Sequence, residues 1–333
     1  MSRYSRILAG IAILAALAVF TASCSKPQSE TPTGTTPAPK QDASYKITMV
    51  IYGSPGNPFW TKVRAGAEEA GEKFGCSVDI QYANDDAAKQ NDILGTAIAN
   101  NVDGIALAIN YDNAYTEVVK RAREKGIGVI AFNIDDTKKA AGNARMAYIG
   151  QDMEQAGFQI ANRLIKEAGL KKGGKVVCPV ENPQAVYAVQ RYAGAKRAFS
   201  QAGIRSEVLN TGGVSLEETL NRLTQYLLGN KDTSAILAMG GMPMEEAPQA
   251  VMDAGLNIPN AGFDLTKQIA QNIKDGKSLA TIDQQPFYQG FLTISQLYYF
   301  KKYGLSPCDI NTGGAMVDKS NVEKVLALAD SIR

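Results

Sequence analysis

The chain is predicted to be an α/β protein with two doubly wound parallel-sheet lobes joined by a multi-strand hinge. Three observations lead there. From Lys46 onward, apolar runs of strand length alternate with amphipathic helical stretches almost to the C-terminus, the pattern of parallel βα units with right-handed crossovers. The alternation falls into two similar sets, and one continuous sheet of so many strands would be unusual. Polar residues recur just past the ends of the apolar runs, where open α/β sheets keep their ligand crevices.

The first element is a strand over 46–52 (KITMVIY), β-branched and apolar enough to be buried. A helix follows over 58–74, because Asn57 is a good N-cap and Pro58 suits the first helical position. Its first turn carries Phe59 and Trp60, which belong either to the core or to the wall of a crevice. Strands at 77–82 (SVDIQY), 104–109 (GIALAI), 128–132 (GVIAF) and 146–149 then alternate with helices at 87–100 and 114–125. The second set has helices at 153–167, 185–202, 216–228, 245–253 and 266–274. Between them lie strands at 175–180 (KVVCPV), 206–210 (SEVLN), 234–239 (SAILAM), 257–263 (NIPNAGF) and 278–282 (SLATI). Helices at 288–302 and 322–332 cover the lobes. Crossings near Gly150, Gln285 and Gly313-Gly314 divide the chain into 45–150 with 285–313 and 151–284 with 314–333.

Residues 1–23 carry Arg3 and Arg6, no acidic residue and an apolar run from 7 to 20, the layout of an export signal. Thr21-Ala22-Ser23 before Cys24 resembles a bacterial lipoprotein signal, although Leu is usual where Thr21 stands. That resemblance implies lipid on Cys24 and an anchor in a bacterial membrane, facing the periplasm or the cell exterior. Residues 24–44 hold almost no large apolar side chain and many Pro, Thr and Ser, so a disordered tether is expected.

Without Arg3 and Arg6 the basic and acidic residues balance, and nothing favours a nucleic-acid partner. Cys76, Cys178 and Cys308 are widely spaced and odd in number, which argues against a disulfide framework or a zinc site. The chain has no His, so the Ser-His and Cys-His routes to nucleophilic catalysis are closed. Neither cofactor nor metal is expected, and the protein is expected to be a monomer. Asp275-Gly276-Lys277-Ser278 fails as a phosphate loop, because Gln271 replaces the first Gly and a strand follows. Gly126-Ile127-Gly128 fails as a dinucleotide fingerprint for similar reasons, with Ala131 at the third Gly position.

The polar residues past the strand ends are Asn84-Asp85-Asp86, Asn110-Tyr111-Asp112, Asn133 with Asp135, Glu181-Asn182, and Asp264. Each is either a cap or turn residue or part of a lined crevice. Several segments in this order and spacing resemble the type I periplasmic solute-binding proteins of ABC sugar importers, such as the ribose- and galactose-binding proteins. They are Asn57-Pro58-Phe59-Trp60, 129–133 (VIAFN), Arg191-Tyr192-Ala193-Gly194, Gly262-Phe263-Asp264 and 280–286 (ATIDQQP).

The resemblance implies that Asn57 bonds ligand hydroxyls, that Phe59 and Trp60 pack on a sugar-ring face, and that Asp264 and Gln284 reach in from the second lobe or the hinge. Asn110, Asn133, Asp135, Arg191 and Met242 complete the expected ligand-binding set, with a structural role open for Arg191. Departures are equally definite. Asn133-Ile134 stands where ribose binders carry Asp-Arg, Gly240-Gly241 where they carry Asn-Asp, and Val189 where they place a ligand-contacting Arg. Met242, Tyr111, Glu181 and Gln184 are the candidate replacements.

The expected function is capture of a small neutral ligand, a sugar first, between two lobes that close by a hinge and deliver it to an ABC permease. Two other readings compete. One is a sensor- or chemoreceptor-linked binder of a nucleoside, polyol or signal, and the other is a hydrolase working through Asp135 and Asp264. Trp60→Ala is expected to abolish most binding with little loss of fold stability.

Overall fold

Buried β-branched runs become the middle strands of two sheets. The computed structural model describes residues 45–333 apart from 213–214 and 330–331, so the expected signal, Cys24 and the tether lie outside the described residues. The first half supplies strands β1 (Tyr45–Ile51), β2 (Cys76–Tyr82), β3 (Gly104–Leu107), β4 (Gly128–Asn133) and β5 (Ala147–Gly150). The second supplies β6 (Lys175–Val180), β7 (Arg205–Asn210), β8 (Thr233–Ala238), β9 (Asn260–Phe263) and β10 (Ala280–Asp283), and two short strands follow, β11 (Ile310–Asn311) and β12 (Ala315–Asp318). They form two six-stranded sheets, ordered β11-β5-β4-β3-β1-β2 and β12-β10-β9-β8-β6-β7. The two orders are the same permutation. Pairing is parallel throughout except between β10 and β12.

Central strands β3 and β4 are buried at every position, as strands covered on both faces should be. The edge strands β2 and β7 are half exposed. The covering helices are α1 (Pro58–Phe74), α2 (Ala87–Ala99), α3 (Thr116–Glu124), α4 (Met153–Glu167), α5 (Val186–Gln201), α6 (Leu216–Gly229), α7 (Gly241–Asp253), α8 (Lys267–Lys274), α9 (Pro286–Tyr303) and α10 (Val322–Leu326). None of the described helices is long and apolar enough to cross a membrane.

Local chemistry sets many boundaries. Asn57 Oδ1 accepts the Phe59 N–H at 2.9 Å and Gly75 closes α1 at φ 69°, while Asp86, Asp152, Ser215 and Thr266 cap α2, α4, α6 and α8 through their side chains. Other boundaries differ from expectation. α7 begins at Gly241, four residues before the expected start, because extended Gly240 caps it and Pro243 fits its first turn. α3 starts two residues late, α10 ends at Leu326, and β11 and β12 were not foreseen.

The chain passes between the sheets at 151–152, 284–285 and 312–314. One side chain ties the last two of these segments together. Buried Gln289 donates through Nε2 to the Gln284 carbonyl at 3.0 Å and to Thr312 Oγ1 at 3.1 Å, and its Oε1 accepts Asn133 Nδ2 at 3.2 Å.

Each sheet also carries a helix pair in backbone contact. A side-chain carbon on Gly66 of α1 would lie 1.9 Å from the Phe287 carbonyl oxygen, and one on Gly290 of α9 would lie 2.0 Å from that of Val63. Gly157 of α4 and Gly194 of α5 repeat this at 2.0 Å from Arg191 O and 1.9 Å from Glu154 O. Gly194, part of the segment Arg191-Tyr192-Ala193-Gly194, is therefore a packing requirement. Gly194→Val should cost about 3 kcal/mol by overpacking. Gly95→Ala, in open space on α2, should gain about 0.5–1 kcal/mol. Urea unfolding of the two variants checks both signs.

Candidate functional site

Both sheets are doubly wound, so the loops after their strands gather at the carboxyl edges, and these edges face one cleft of about 590 Å³. From the first sheet come Tyr52 and Asn57 after β1, Phe59 and Trp60 on the opening turn of α1, and Asn133-Ile134 after β4. From the second come Glu181 after β6, Gly240 to Met242 after β8, Asp264 to Thr266 after β9, and Gln284 after β10, with Tyr187 and Arg191 of α5. Lys62 Nζ donates to the Leu265 carbonyl at 3.4 Å, linking α1 to the facing wall.

The first wall is aromatic. Trp60 meets Phe59 edge-on at 4.9 Å, Tyr52 at 5.0 Å and Phe132 at 6.4 Å, all near perpendicular. Trp60 is only 3% exposed and belongs to the core beneath β1 and β4, so little of it is open to the cleft that it lines. A side-chain carbon at Gly53 would lie 2.1 Å from Trp60 Nε1, so a glycine there is what admits the ring. The expectation that Trp60→Ala spares the fold is corrected by this burial, since truncating a buried aromatic costs about 3–5 kcal/mol. Half-buried Phe59 is the ring more free to meet a ligand.

The facing wall is polar and centred on Arg191, which is 1% exposed. Its Nε donates to Gln151 Oε1 at 2.9 Å, one Nη to the Met239 carbonyl at 2.7 Å and the other to Asp264 Oδ1 at 3.5 Å, while the guanidinium lies 4.1 Å over the Phe263 ring. Asp264 Oδ1 also accepts Gln284 Nε2 at 2.5 Å, and Gln284 Oε1 is buried without a partner among the described residues. Asn133, Asp264 and Gln285 hold left-handed backbone at φ 62°, 71° and 57°. Such backbone is costly outside glycine, and here it sits at two strand ends and one crossing.

Two expected residues do not join the cleft. Asn110 Oδ1 accepts the Tyr115 hydroxyl at 2.7 Å beside α3, and Asp135 is turned away to Arg145, which donates to it at 2.8 and 2.5 Å. The reason for Asp135 is the left-handed turn at Asn133, which presents Ile134 to the cleft. Asp135 and Asp264 therefore do not share a cavity. Of the candidate replacements, Met242 and Glu181 line the cleft, whereas Tyr111 is 48% exposed elsewhere and Gln184 lies outside the lining.

Residues the sequence did not single out are Tyr52, Tyr187, Lys62, Glu245 and Thr266. Tyr52 closes the apolar run of β1, and its strand-end position was the available signal. Burial raises the Tyr52 and Tyr187 hydroxyls far above their ordinary range, so both remain protonated donors. Burial, reinforced by the charge of Asp264, also pushes the Glu181 carboxyl up, although bonds from Met242 and Tyr187 oppose the shift. Among the described residues no group of three metal-ligating side chains is placed to hold a metal ion.

These features can be set beside known proteins. A xylose/arabinose-binding protein of Sulfolobus acidocaldarius is 25% identical over 288 residues, covering 81% of this chain and 70% of the relative. A carbohydrate transporter structure from Acidothermus cellulolyticus in complex with myo-inositol is 28% identical with a TM-score of 0.76, covering 86% of this chain and 98% of that one. An ABC transporter periplasmic solute binding protein from Actinobacillus succinogenes with bound D-allose is 25% identical with a TM-score of 0.75, covering 84% and 100%. Residues 47–303 match the periplasmic binding protein domain, and the chain belongs to that family.

Proposed function

We propose that this chain captures a monosaccharide-sized, polyhydroxylated ligand between its two lobes outside the cytoplasm and delivers it to an ABC permease. The observation that carries this reading is the cleft itself: the aromatic side chains Tyr52, Phe59 and Trp60 on one wall oppose Arg191, Asp264 and Gln284 on the other. Aromatic planes suit the C–H face of a sugar, and paired amide, carboxylate and guanidinium groups suit its hydroxyl edge. Relatives named for xylose and arabinose, and structures holding myo-inositol or D-allose, support the same ligand class. The first lobe comprises 45–150 with 285–313 and the second 151–284 with 314–333. Asn57, Phe59, Trp60, Asn133, Arg191, Met242, Asp264 and Gln284 form the binding set, while Asn110 and Asp135 act in the scaffold. The protein works as a monomer, held to the membrane by lipid on Cys24 after loss of 1–23.

Gln289 and the three crossings are the place where the lobes turn, and the ligand favours the closed state through its contacts with both walls. A thermal-shift screen of pentoses, hexoses and inositols should find a ligand that raises stability by about 2.7 kcal/mol at one hundred times its Kd. Small-angle scattering of the same complex should show compaction, and a tight ligand with no compaction would reject the hinge. Phe59→Ala should weaken binding about tenfold or more with little change in melting temperature. Trp60→Ala should lower both, and unchanged affinity in Phe59→Ala would remove the aromatic wall from the site. The full-length protein should fractionate with membranes, and Cys24→Ser should release it; a membrane fraction unaffected by the substitution would reject lipidation.

A further inference from the structure

Glu181 occupies a space that another residue type would fill. A side-chain carbon built on Gly240 would lie 2.0 Å from Glu181 Oε2. Gly241 is less crowded, its added carbon lying 3.6 Å from Asp264 Cβ and Oδ2. The two glycines at the start of α7 thus leave the second wall bare of their own side chains, and the Glu181 carboxylate from the β6 loop moves into the vacated volume. Only a residue without a side chain at 240 permits this.

The partners of Glu181 are neutral. Oε1 accepts the Met242 N–H at 3.1 Å and Oε2 accepts the Tyr187 hydroxyl at 3.1 Å. Asp264, by contrast, has the Arg191 guanidinium beside it. A carboxylate facing a closing cleft loses water, and neutral donors offset only part of that cost, whereas a cation offsets far more. Glu181 lines the same cavity as Phe59 and Asp264, and two accepted bonds leave its carboxyl oxygens with spare lone pairs. A hydroxyl would give this oxygen one more neutral donor, and a ligand ammonium would give it a charge.

We propose that Glu181, seated over Gly240, makes the cleft select a polyhydroxylated ligand bearing a protonated amine, an amino sugar, over its neutral parent. This rests on the sugar reading and replaces the expected neutral ligand with a monocationic one. Selection follows because a ligand ammonium pairs with the Glu181 carboxylate and offsets the burial and the Asp264 charge that push this carboxyl towards its neutral acid, an interaction the uncharged parent cannot supply.

The test is titration calorimetry of the full chain with matched pairs: glucosamine and glucose, galactosamine and galactose, mannosamine and mannose, with each N-acetyl derivative as an uncharged control. At least one amine should bind about tenfold or more tighter than both its parent and its N-acetyl form. In Glu181→Gln that preference should collapse to about threefold or less, with the melting curve of the unliganded protein retained, since the Tyr187 hydroxyl can accept from the new amide. Gly240→Ala, which keeps the acid but displaces it, should erode the same preference. Neutral sugars binding as tightly as their amines in every pair would overturn the inference and leave the sugar reading standing. A preference that survives in Glu181→Gln would overturn it as well. No binding of any member of any pair would overturn the inference and leave the sugar reading to the pentose and inositol arms of the thermal-shift screen.

Discussion

A guanidinium carried out of water must have its donors met, and the structure around the cleft is arranged to meet those of Arg191. Its partners come from three separate places: Gln151 at the first crossing, the Met239 carbonyl at the end of β8, and Asp264 at the end of β9. Losing one of them would leave charge buried with too few partners, at a cost of several kcal/mol. That constraint fixes the direction of α5, because the residue must reach the carboxyl edge of the sheet while Gly194, one turn on, lies against the backbone of α4. One residue therefore couples helix packing, strand ends and hinge to the polar wall. Of the two roles the sequence leaves open for Arg191, the structural one is visible in its bonds to Gln151 and Met239, and because it also lines the cleft its contact with a ligand is part of the proposal above.

The hinge follows the same logic at lower charge. Gln289 links two crossings through its amide nitrogen and reaches Asn133 through its oxygen, so an element of the first lobe is informed about the strand end that faces the ligand. Asn133 and Asp264 occupy corresponding places, after β4 and β9 of sheets with matching strand order, and both hold left-handed backbone. At Asn133 this turn sends Asp135 back to Arg145, which explains why two residues that lie close in sequence have opposite fates.

Much of this fold was legible because its signals are local. The bounds of α1 and the start of α4 agree with the sequence pattern since Asn57, Gly75 and Asp152 define them within a few residues, and β6 coincides with its own apolar run. α7 was misjudged at its start because Gly-Gly-Met-Pro reads as a loop until Gly240 is seen in extended backbone. β11 and β12 have two and four residues and exist through partners far away in the chain, β5 and β10. The site shows the same division. Strand ends locate the crevice edge but not the direction of each side chain, so Asn110 and Asp135 were included and Tyr187 was missed. Two aromatics on one helical turn cannot both face the same way, and periodicity alone does not tell which one goes inward.

The glycine crossings of α1 with α9 and α4 with α5 have a mechanical consequence. Helices that touch at the backbone have no side-chain layer to compress, so each lobe behaves as a stiff body. Compliance is then concentrated in three thin joints, and force applied at the cleft is transmitted as torque about them instead of being absorbed by shear inside a lobe. A ligand of a few ångströms can thereby move distant outer surfaces of both lobes, which is the leverage a membrane partner needs in order to distinguish a loaded protein from an empty one.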